Sequence, residues 1–162
     1  MTYDRARLEN ELARDEGERL KAYRCTAGKR TIGIGRNLDD VGISAAECEA
    51  LGITLKSCIA RGITQAQSRA LFANDIAGCE RDLDRRLPWW RGLVPVRQRV
   101  LLNMCFNLGI TRLLGFRNTL AMMKAGDFAG AARGMLASLW ARQVGDRATR
   151  LATMMRSGKE PA

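Results

Sequence analysis

Apolar positions near the start of the chain recur at helical spacing. Leu8 and Leu12 are four residues apart, and Glu16 follows at the next step of the same stripe. Residues four apart lie one above the other on a helix, so a helix over residues 2–16 places Glu16 in line with two apolar side chains. Gly17 comes next, and glycine readily adopts the left-handed conformation that ends a helix. The pattern therefore predicts a first helix that ends at a glutamate.

Glu16 occupies an unusual position for a carboxylate. The C-terminal end of a helix carries the negative end of the helix dipole, where a lysine would be more stable. That dipole and partial burial both favour the protonated form of a carboxyl group. A general acid must be protonated before it can donate. A frayed, exposed glutamate is the alternative interpretation, and this helix alone does not decide between them.

The segments that follow predict a β-hairpin, because residues 20–25 and 29–35 flank a turn that contains Gly28. Alternation divides the second strand into an apolar face and a face with one hydroxyl and two glycines. The apolar face holds Ile32 and Ile34, and the other holds Thr31, Gly33 and Gly35. A face without bulky side chains suits close approach by a ligand, whereas a bulge or tight bend explains the glycines more simply.

Helical patterns dominate the rest of the chain. Ser44 is a suitable cap for a short helix over residues 45–51, and Thr64 for a long helix that runs to about Leu87. A further helix is predicted over residues 96–108, and two or three more follow over about 116–124, 127–141 and 146–157. No element is predicted between residues 52 and 62.

The predicted helix over residues 96–108 is apolar nearly all round, as is typical of a buried helix. Asn103 and Asn107 interrupt it at a spacing of four, hence on one face. Buried amides need hydrogen-bond partners. Paired core amides are the simpler interpretation, and substrate contacts are the alternative.

Composition narrows the class of protein. The 162 residues suffice for one core or two small lobes, and 46% hydrophobic with 27% charged residues is ordinary for a globular protein. The charged amino-terminal segment is unlike a signal peptide, so we expect the protein to stay in a cytoplasm until another agent opens the membrane. A net charge of +10 favours an anionic partner such as peptidoglycan, lipopolysaccharide or membrane lipid. Nucleic acid is not expected as a partner, because the basic residues are spread and no recognition motif is present.

The cysteines give no cofactor motif. Five are present, no histidine occurs, and no C-x-x-C spacing is found, so neither a metal nor a redox cofactor is predicted. Cys48 and Cys58 lie in one segment and could form a disulfide in an oxidising compartment. Two free thiols are the alternative.

Several motifs, in order along the chain, resemble those of the phage-type lysozymes, glycoside hydrolase family 24. They are DEG, RLKAY, TAGKRTIGIG, ITQAQSRALFANDI, LLNMCFNLG, GFRNTL, SLWARQ and DRATR. Members of this family carry a glutamate, eight residues, an aspartate or cysteine, five residues and a threonine. Glu16, Cys25 and Thr31 have this spacing.

The resemblance implies an α+β, mainly helical fold in one lysozyme domain over residues 1–162. A small antiparallel β lobe would cover about residues 17–62, and a larger helical lobe residues 1–16 and 63–162, with a long helix joining the two. A monomer is expected. On the last helix an apolar stripe predicts the buried face, and the basic residues outside it predict a solvated face; they are Arg147, Arg150, Arg156 and Lys159. Contact of this face with an anionic outer-membrane or lipid surface is the alternative.

The resemblance also implies an activity and a site. Glu16 would be the general acid of an endolysin muramidase, which hydrolyses the β-1,4 bond between N-acetylmuramic acid and N-acetylglucosamine with inversion. Cys25 and Thr31 would complete the catalytic set. Arg147 matches an arginine that pairs with the acid in the family, while Gly33, Asn103 and Asn107 are candidate substrate contacts. The enzyme would reach the periplasm or cell wall after release by a holin.

Cys25 leaves the second catalytic group open, because the best-known family members have aspartate there. Cys25 could act as a thiolate, Thr31 could position the attacking water with little help from Cys25, or Asp39 or Asp40 could supply the carboxylate. A lytic transglycosylase, which needs only Glu16 and gives 1,6-anhydro products, is the alternative enzyme. A catalytically inactive wall-binding relative is a further alternative. Arg36 also stands where the family usually has histidine.

Overall fold

The computed structural model describes residues 2–161 and confirms the mainly helical α+β fold. In that part of the chain, ten α-helices accompany one three-stranded antiparallel sheet. The strands are β1 (Arg19–Arg24), β2 (Arg30–Gly33) and β3 (Arg36–Asn37). The helices are α1 (Arg5–Glu16), α2 (Ala45–Leu51), α3 (Leu55–Arg61), α4 (Gln65–Arg86), α5 (Pro95–Leu108), α6 (Ile110–Leu114), α7 (Arg117–Ala125), α8 (Phe128–Leu136), α9 (Leu139–Val144) and α10 (Asp146–Ser157).

These elements fall into two compact units. Glu9–Ala77 form the first, called here the sheet unit, and residues 2–8 with 78–161 form the second, called here the helical unit. The whole sheet lies in the sheet unit. Helices α1 and α4 each contribute residues to both units.

The sheet unit contains the predicted hairpin and one strand more. Strands β1 and β2 pair antiparallel with Tyr23 opposite Thr31, and β3 pairs with β2 through Thr31 and Asn37. The short β3 was not predicted, because a strand of two residues is too short to show an alternating pattern of apolar and polar side chains. The predicted burial of Ile32 is confirmed, but Thr31 and Gly33 on the other face of β2 are buried as well, so that face is not open. Ile32 belongs to an apolar cluster with Leu38, Ile53, Cys58, Ile63 and Leu71.

Helix α2 has the predicted boundaries and cap. Ser44 Oγ accepts from the Glu47 backbone N–H at 3.1 Å, and the Glu47 carboxylate accepts from the Ser44 backbone N–H at 3.0 Å. This reciprocal capping box satisfies two backbone groups at the start of the helix. The next stretch, for which no element was predicted, forms the short helix α3 with the same kind of cap between Thr54 and Ser57.

Arg36 forms the polar centre of the sheet unit. It is buried, and its guanidinium donates to both carboxylate oxygens of Glu47, at 2.8 and 2.7 Å. It also donates to both oxygens of Asp75, at 3.1 and 3.0 Å, and to the carbonyl oxygens of Gly42 and Leu71. Hydrogen bonds from Arg36 lower the pKa of Glu47 to about 2, against the opposing effect of burial. The Arg36 side chain therefore has a structural role in the sheet unit.

The helical unit is built around α5, whose predicted burial is confirmed. Helix α10 has the predicted boundaries and packs on α8 and α5. The helix predicted over residues 127–141 is wrong, since α8 ends at Leu136 and α9 begins at Leu139. Ser138 causes the break by accepting a hydrogen bond from the Ala141 backbone N–H, as an N-cap does. Helix α6 was not predicted either.

All five cysteines are free thiols, Cys48 and Cys58 among them. Across the described residues, no helix has both the length and the apolar character that crossing a bilayer requires.

Candidate functional site

Glu16 is the last residue of helix α1, as the sequence predicts. Leu8 and Leu12, which precede it on the same stripe, are fully buried, whereas Glu16 itself is partly exposed. Gly17 follows with a φ of 75°, a conformation that favours glycine and ends the helix. The carboxyl group therefore lies at a fixed helix end and remains accessible.

Cys25 begins the tight turn between β1 and β2. The Cys25 backbone N–H donates to the Lys29 carbonyl oxygen at 2.9 Å, and the Gly28 N–H donates to the Cys25 carbonyl oxygen at 2.8 Å. The Arg24 guanidinium adds a hydrogen bond of 2.8 Å to the Gly28 carbonyl oxygen. These bonds close the turn at Cys25.

The turn favours the thiolate form of Cys25. A hydrogen bond from the Lys29 backbone N–H is the largest influence and lowers the pKa of Cys25. Burial opposes it, and hydrogen bonds from the Ala27 N–H and the Thr31 hydroxyl lower the pKa further. Converging backbone N–H groups form an anion-binding concavity. Cys25 is half-buried, so its sulfur also stays within reach of solvent.

Thr31 shares a hydrogen-bond acceptor with Cys25. The Thr31 side chain is buried on β2, and its Oγ1 donates to the Lys29 carbonyl oxygen at 3.1 Å. The Cys25 backbone N–H donates to the same oxygen at 2.9 Å. Two of the three predicted catalytic residues are therefore joined through one carbonyl group.

Tyr23 lies beside these groups in the hairpin, and the sequence analysis missed it. Burial raises the pKa of Tyr23; Arg19, stacked 4.4 Å from the ring centroid, opposes this, and the negative charges of Glu16 and Cys25 raise it further. The Tyr23 phenol therefore interacts electrostatically with both predicted catalytic groups. The hairpin register could have identified it, since Tyr23 lies directly opposite Thr31.

Gly33 has a structural reason to be glycine. Its φ is 64°, and a Cβ built on it would lie 3.0 Å from Ser68 Oγ of helix α4. The space that its missing side chain leaves is thus occupied by Ser68. Its role as a substrate contact stays a prediction.

The two aspartates considered as alternative bases are engaged elsewhere. Asp39 accepts hydrogen bonds from the backbone N–H and the Nε of Arg30, both at 2.8 Å. Asp40 accepts from Lys29 Nζ at 3.2 Å and from Asn37 Nδ2 at 3.0 Å. Neither carboxylate has Thr31 as a hydrogen-bond partner in these bonds.

Three further candidate residues lie in the helical unit. Arg147 was expected on the solvated face of α10 but is buried, and its Nε donates to the Asn103 Oδ1 at 3.0 Å. The Asn107 Oδ1 accepts from Trp140 Nε1 at 2.8 Å. Both amides therefore have partners within the protein, as the simpler interpretation of the sequence requires. Substrate contact by either one stays a prediction.

Comparison with known families decides the class of protein. Residues 13–159 match the phage lysozyme family. The chain belongs to the phage lysozyme family. It is therefore a glycoside hydrolase of the lysozyme class, a family that degrades peptidoglycan. The matched stretch contains every candidate site residue named above.

Individual relatives agree with this assignment. The chain is 33% identical to the pre-baseplate central spike protein Gp5 of Enterobacteria phage T4, over 91% of this chain but only 27% of that protein. It is 27% identical to a probable T4-type lysozyme 1 of Dictyostelium discoideum, over 93% of this chain and 94% of that protein. It is 30% identical to an endolysin of Acyrthosiphon pisum secondary endosymbiont phage 1, over 74% of this chain and 68% of the endolysin.

Proposed function

We propose that this protein is a muramidase that hydrolyses the β-1,4 bond between N-acetylmuramic acid and N-acetylglucosamine in bacterial peptidoglycan. Glu16 acts as the general acid, and Cys25 and Thr31 hold and activate the attacking water. The observation that carries the proposal is the turn at Cys25, where the Cys25 backbone N–H and the Thr31 hydroxyl share the Lys29 carbonyl oxygen, and where backbone hydrogen bonds lower the pKa of Cys25. Its neighbour Tyr23 interacts electrostatically with Cys25 and with Glu16.

Glu16 supplies the proton that the leaving sugar needs. In its protonated form it donates to the glycosidic oxygen as the bond to the anomeric carbon breaks, and positive charge develops on the sugar ring. Glu16 is the last residue of α1, and two buried leucines, Leu8 and Leu12, anchor that helix. The backbone of Glu16 is therefore fixed, while its carboxyl group stays accessible.

Cys25 and Thr31 act on the water. The thiolate accepts one proton from the water while the hydroxyl oxygen of Thr31 accepts a hydrogen bond from it and aligns it. The water oxygen then bonds to the anomeric carbon on the face opposite the leaving group, which inverts the configuration. The cycle closes when the Cys25 thiol loses its proton and Glu16 regains one from solvent.

The remaining predicted residues support this centre. The orienting role of Arg147 is what the resemblance implies, and within the helical unit its Nε donates to Asn103 Oδ1. Gly33, Asn103 and Asn107 stay candidate substrate contacts. We further propose an endolysin that acts as a monomer on the cell wall after holin release. The exposed cations Arg156 and Lys159 near the end of α10 are available for anionic envelope surfaces.

Product analysis tests the proposal. Purified Gram-negative sacculi would be digested with the wild type and with Glu16→Gln, and the released muropeptides analysed by mass spectrometry. Hydrolysis by a muramidase gives reducing muramic acid ends, and the glutamine variant gives almost none. Release of 1,6-anhydro ends would instead identify a lytic transglycosylase, and release of neither would contradict both activities.

A further inference from the structure

One side chain fastens the segment that links Glu16 to strand β1. Only Gly17 and Glu18 separate helix α1 from β1. Glu18 Oε2 accepts hydrogen bonds from Ser68 Oγ at 2.8 Å and from Arg69 Nε at 3.0 Å. Glu18 Oε1 accepts from Arg69 Nη2 at 3.2 Å. Helix α4 therefore holds the Glu18 carboxylate at both of its oxygens.

This attachment is largely shielded from water. The Glu18 side chain is 16% exposed. Burial raises the pKa of Glu18, but hydrogen bonds from Ser68, Arg69 and Gln65 outweigh burial and leave the pKa below its ordinary value. The carboxylate is thus ionised at neutral pH. Charge-assisted hydrogen bonds of this bidentate kind combine strength with a fixed geometry.

Ser68 also contacts the strand that carries Thr31. The Ser68 side chain is fully buried, and its Oγ lies so close to Gly33 that a Cβ there would be only 3.0 Å away. One hydroxyl therefore meets both the Glu18 carboxylate and the β2 backbone. Glu18 stands two residues after Glu16, and Gly33 stands two residues after Thr31.

We propose that Glu18 and Ser68 are positioning residues, whose hydrogen bond fixes the Glu16 carboxyl group relative to the Thr31 hydroxyl. The bond holds the end of α1 and strand β2 against the same turn of α4. The inference rests on the proposed function, because it takes Glu16 as the acid. A misplacement of about 1 Å in an active site can lower the rate about 100-fold.

Glu9 provides a matched control. It lies on α1 two turns before Glu16 and forms an ion pair with Arg69, the same arginine that contacts Glu18, but at 3.7 Å and with about a third of each side chain exposed. Such exposed pairs contribute little. Glu9→Gln therefore removes a contact between α1 and Arg69 while leaving the bond from Ser68 to Glu18 intact.

The test is steady-state kinetics on uncrosslinked peptidoglycan glycan chains. The enzymes are the wild type, Ser68→Ala, Glu18→Gln, the double variant and Glu9→Gln, each with a thermal melt. We expect Ser68→Ala and Glu18→Gln to lower kcat by about tenfold or more while KM stays at its wild-type value. The double variant loses no more than the worse single variant, because both remove the same bond. Glu9→Gln keeps the wild-type kcat.

Ser68→Ala decides the outcome if Glu18→Gln does not fold, because it leaves the pair between Glu18 and Arg69 in place. A folded Ser68→Ala enzyme with the wild-type kcat would overturn the inference, as would a rise in KM alone. Glu16→Gln in the same series separates the two proposals. If Glu16→Gln is inactive while Ser68→Ala is fully active, only the positioning role fails; if Glu16→Gln is as active as the wild type, the proposed function fails.

Discussion

The Thr31 hydroxyl and the Cys25 backbone N–H donate to the same carbonyl oxygen, that of Lys29, at 3.1 and 2.9 Å. These bonds bring the start of the turn back beside β2. Hydrogen bonds from the Lys29 and Ala27 backbone N–H groups lower the pKa of Cys25, and a cysteine placed elsewhere on the surface would lack them. The hairpin thus gives a cysteine part of the anionic character that an aspartate has by itself.

The first prediction concerns the ionisation of Cys25. Because the Lys29 N–H, the Ala27 N–H and Thr31 stabilise its thiolate, Cys25 should react with iodoacetamide at a lower pH than an unstructured cysteine peptide does. Peptide mapping of the alkylated protein across a pH series would follow Cys25 separately from the other four cysteines. Thr31→Val should move the midpoint of the reaction to higher pH. A midpoint equal to that of the unstructured peptide, or unchanged in Thr31→Val, would argue against the thiolate.

The second prediction concerns the pH dependence of catalysis. If the thiolate is the base, activity falls as pH drops through the Cys25 pKa, since the thiol cannot accept a proton. Cys25→Asp should keep substantial activity and extend it to lower pH, because aspartate ionises near pH 4. Cys25→Ala should lower kcat by about 100-fold or more, as loss of a general base does. Glycan cleavage from pH 4 to 9 measures both, and an alanine variant with wild-type kcat would exclude a role for Cys25.

The third prediction concerns Arg36 and its two carboxylates. Arg36→Met leaves the buried Glu47 carboxylate without its main partner, which should cost about 3 to 5 kcal/mol of unfolding free energy. Asp75→Asn should cost less than Glu47→Gln. Burial raises the pKa of Asp75 despite Arg36, so folding disfavours its ionised form, whereas folding favours the ionised form of Glu47. Urea unfolding at pH 7 gives all three values, and the reverse order would contradict this account.

The fourth prediction follows from the same pKa values. The folded-state pKa of Glu47 is about 2, below its ordinary value of 4.5, so its contribution is complete above pH 4.5 and is lost as pH falls from 4.5 to 2. The ionised form of Asp75 lowers the stability of the fold, because its charge is buried, and its protonation at low pH removes that cost. The wild type should therefore lose stability below pH 4.5 more steeply than Glu47→Gln. Parallel pH profiles of the melting temperature would refute this.

The sequence predicted well those elements in which one local signal acts alone. Helix α2 follows from its capping serine, α10 from its apolar stripe, and the end of α1 from Gly17. The break between α8 and α9 was missed because the apolar spacing continues across it, and a single serine cap outweighed that spacing. Strand β3 was missed because its pairing with β2 lies in tertiary contacts rather than in a pattern.

The sequence identified which residues form the candidate site better than it predicted how they are arranged. The spacing of Glu16, Cys25 and Thr31 identified the set, but not that backbone N–H groups would favour the Cys25 thiolate. Those groups come from a turn whose hydrogen bonds carry no signature in residue type. Glu18 was missed because it becomes significant only through Ser68, which is distant in sequence, whereas Tyr23 could have been found from its place opposite Thr31 in the hairpin.

The most direct test of the central claim is the initial rate of glycosidic bond cleavage by Glu16→Gln, measured as new reducing ends from purified peptidoglycan beside the wild type. The account predicts a loss of about 100- to 10,000-fold, the usual contribution of a general acid, with an unchanged thermal melt. A folded Glu16→Gln enzyme that cleaves at the wild-type rate would contradict it.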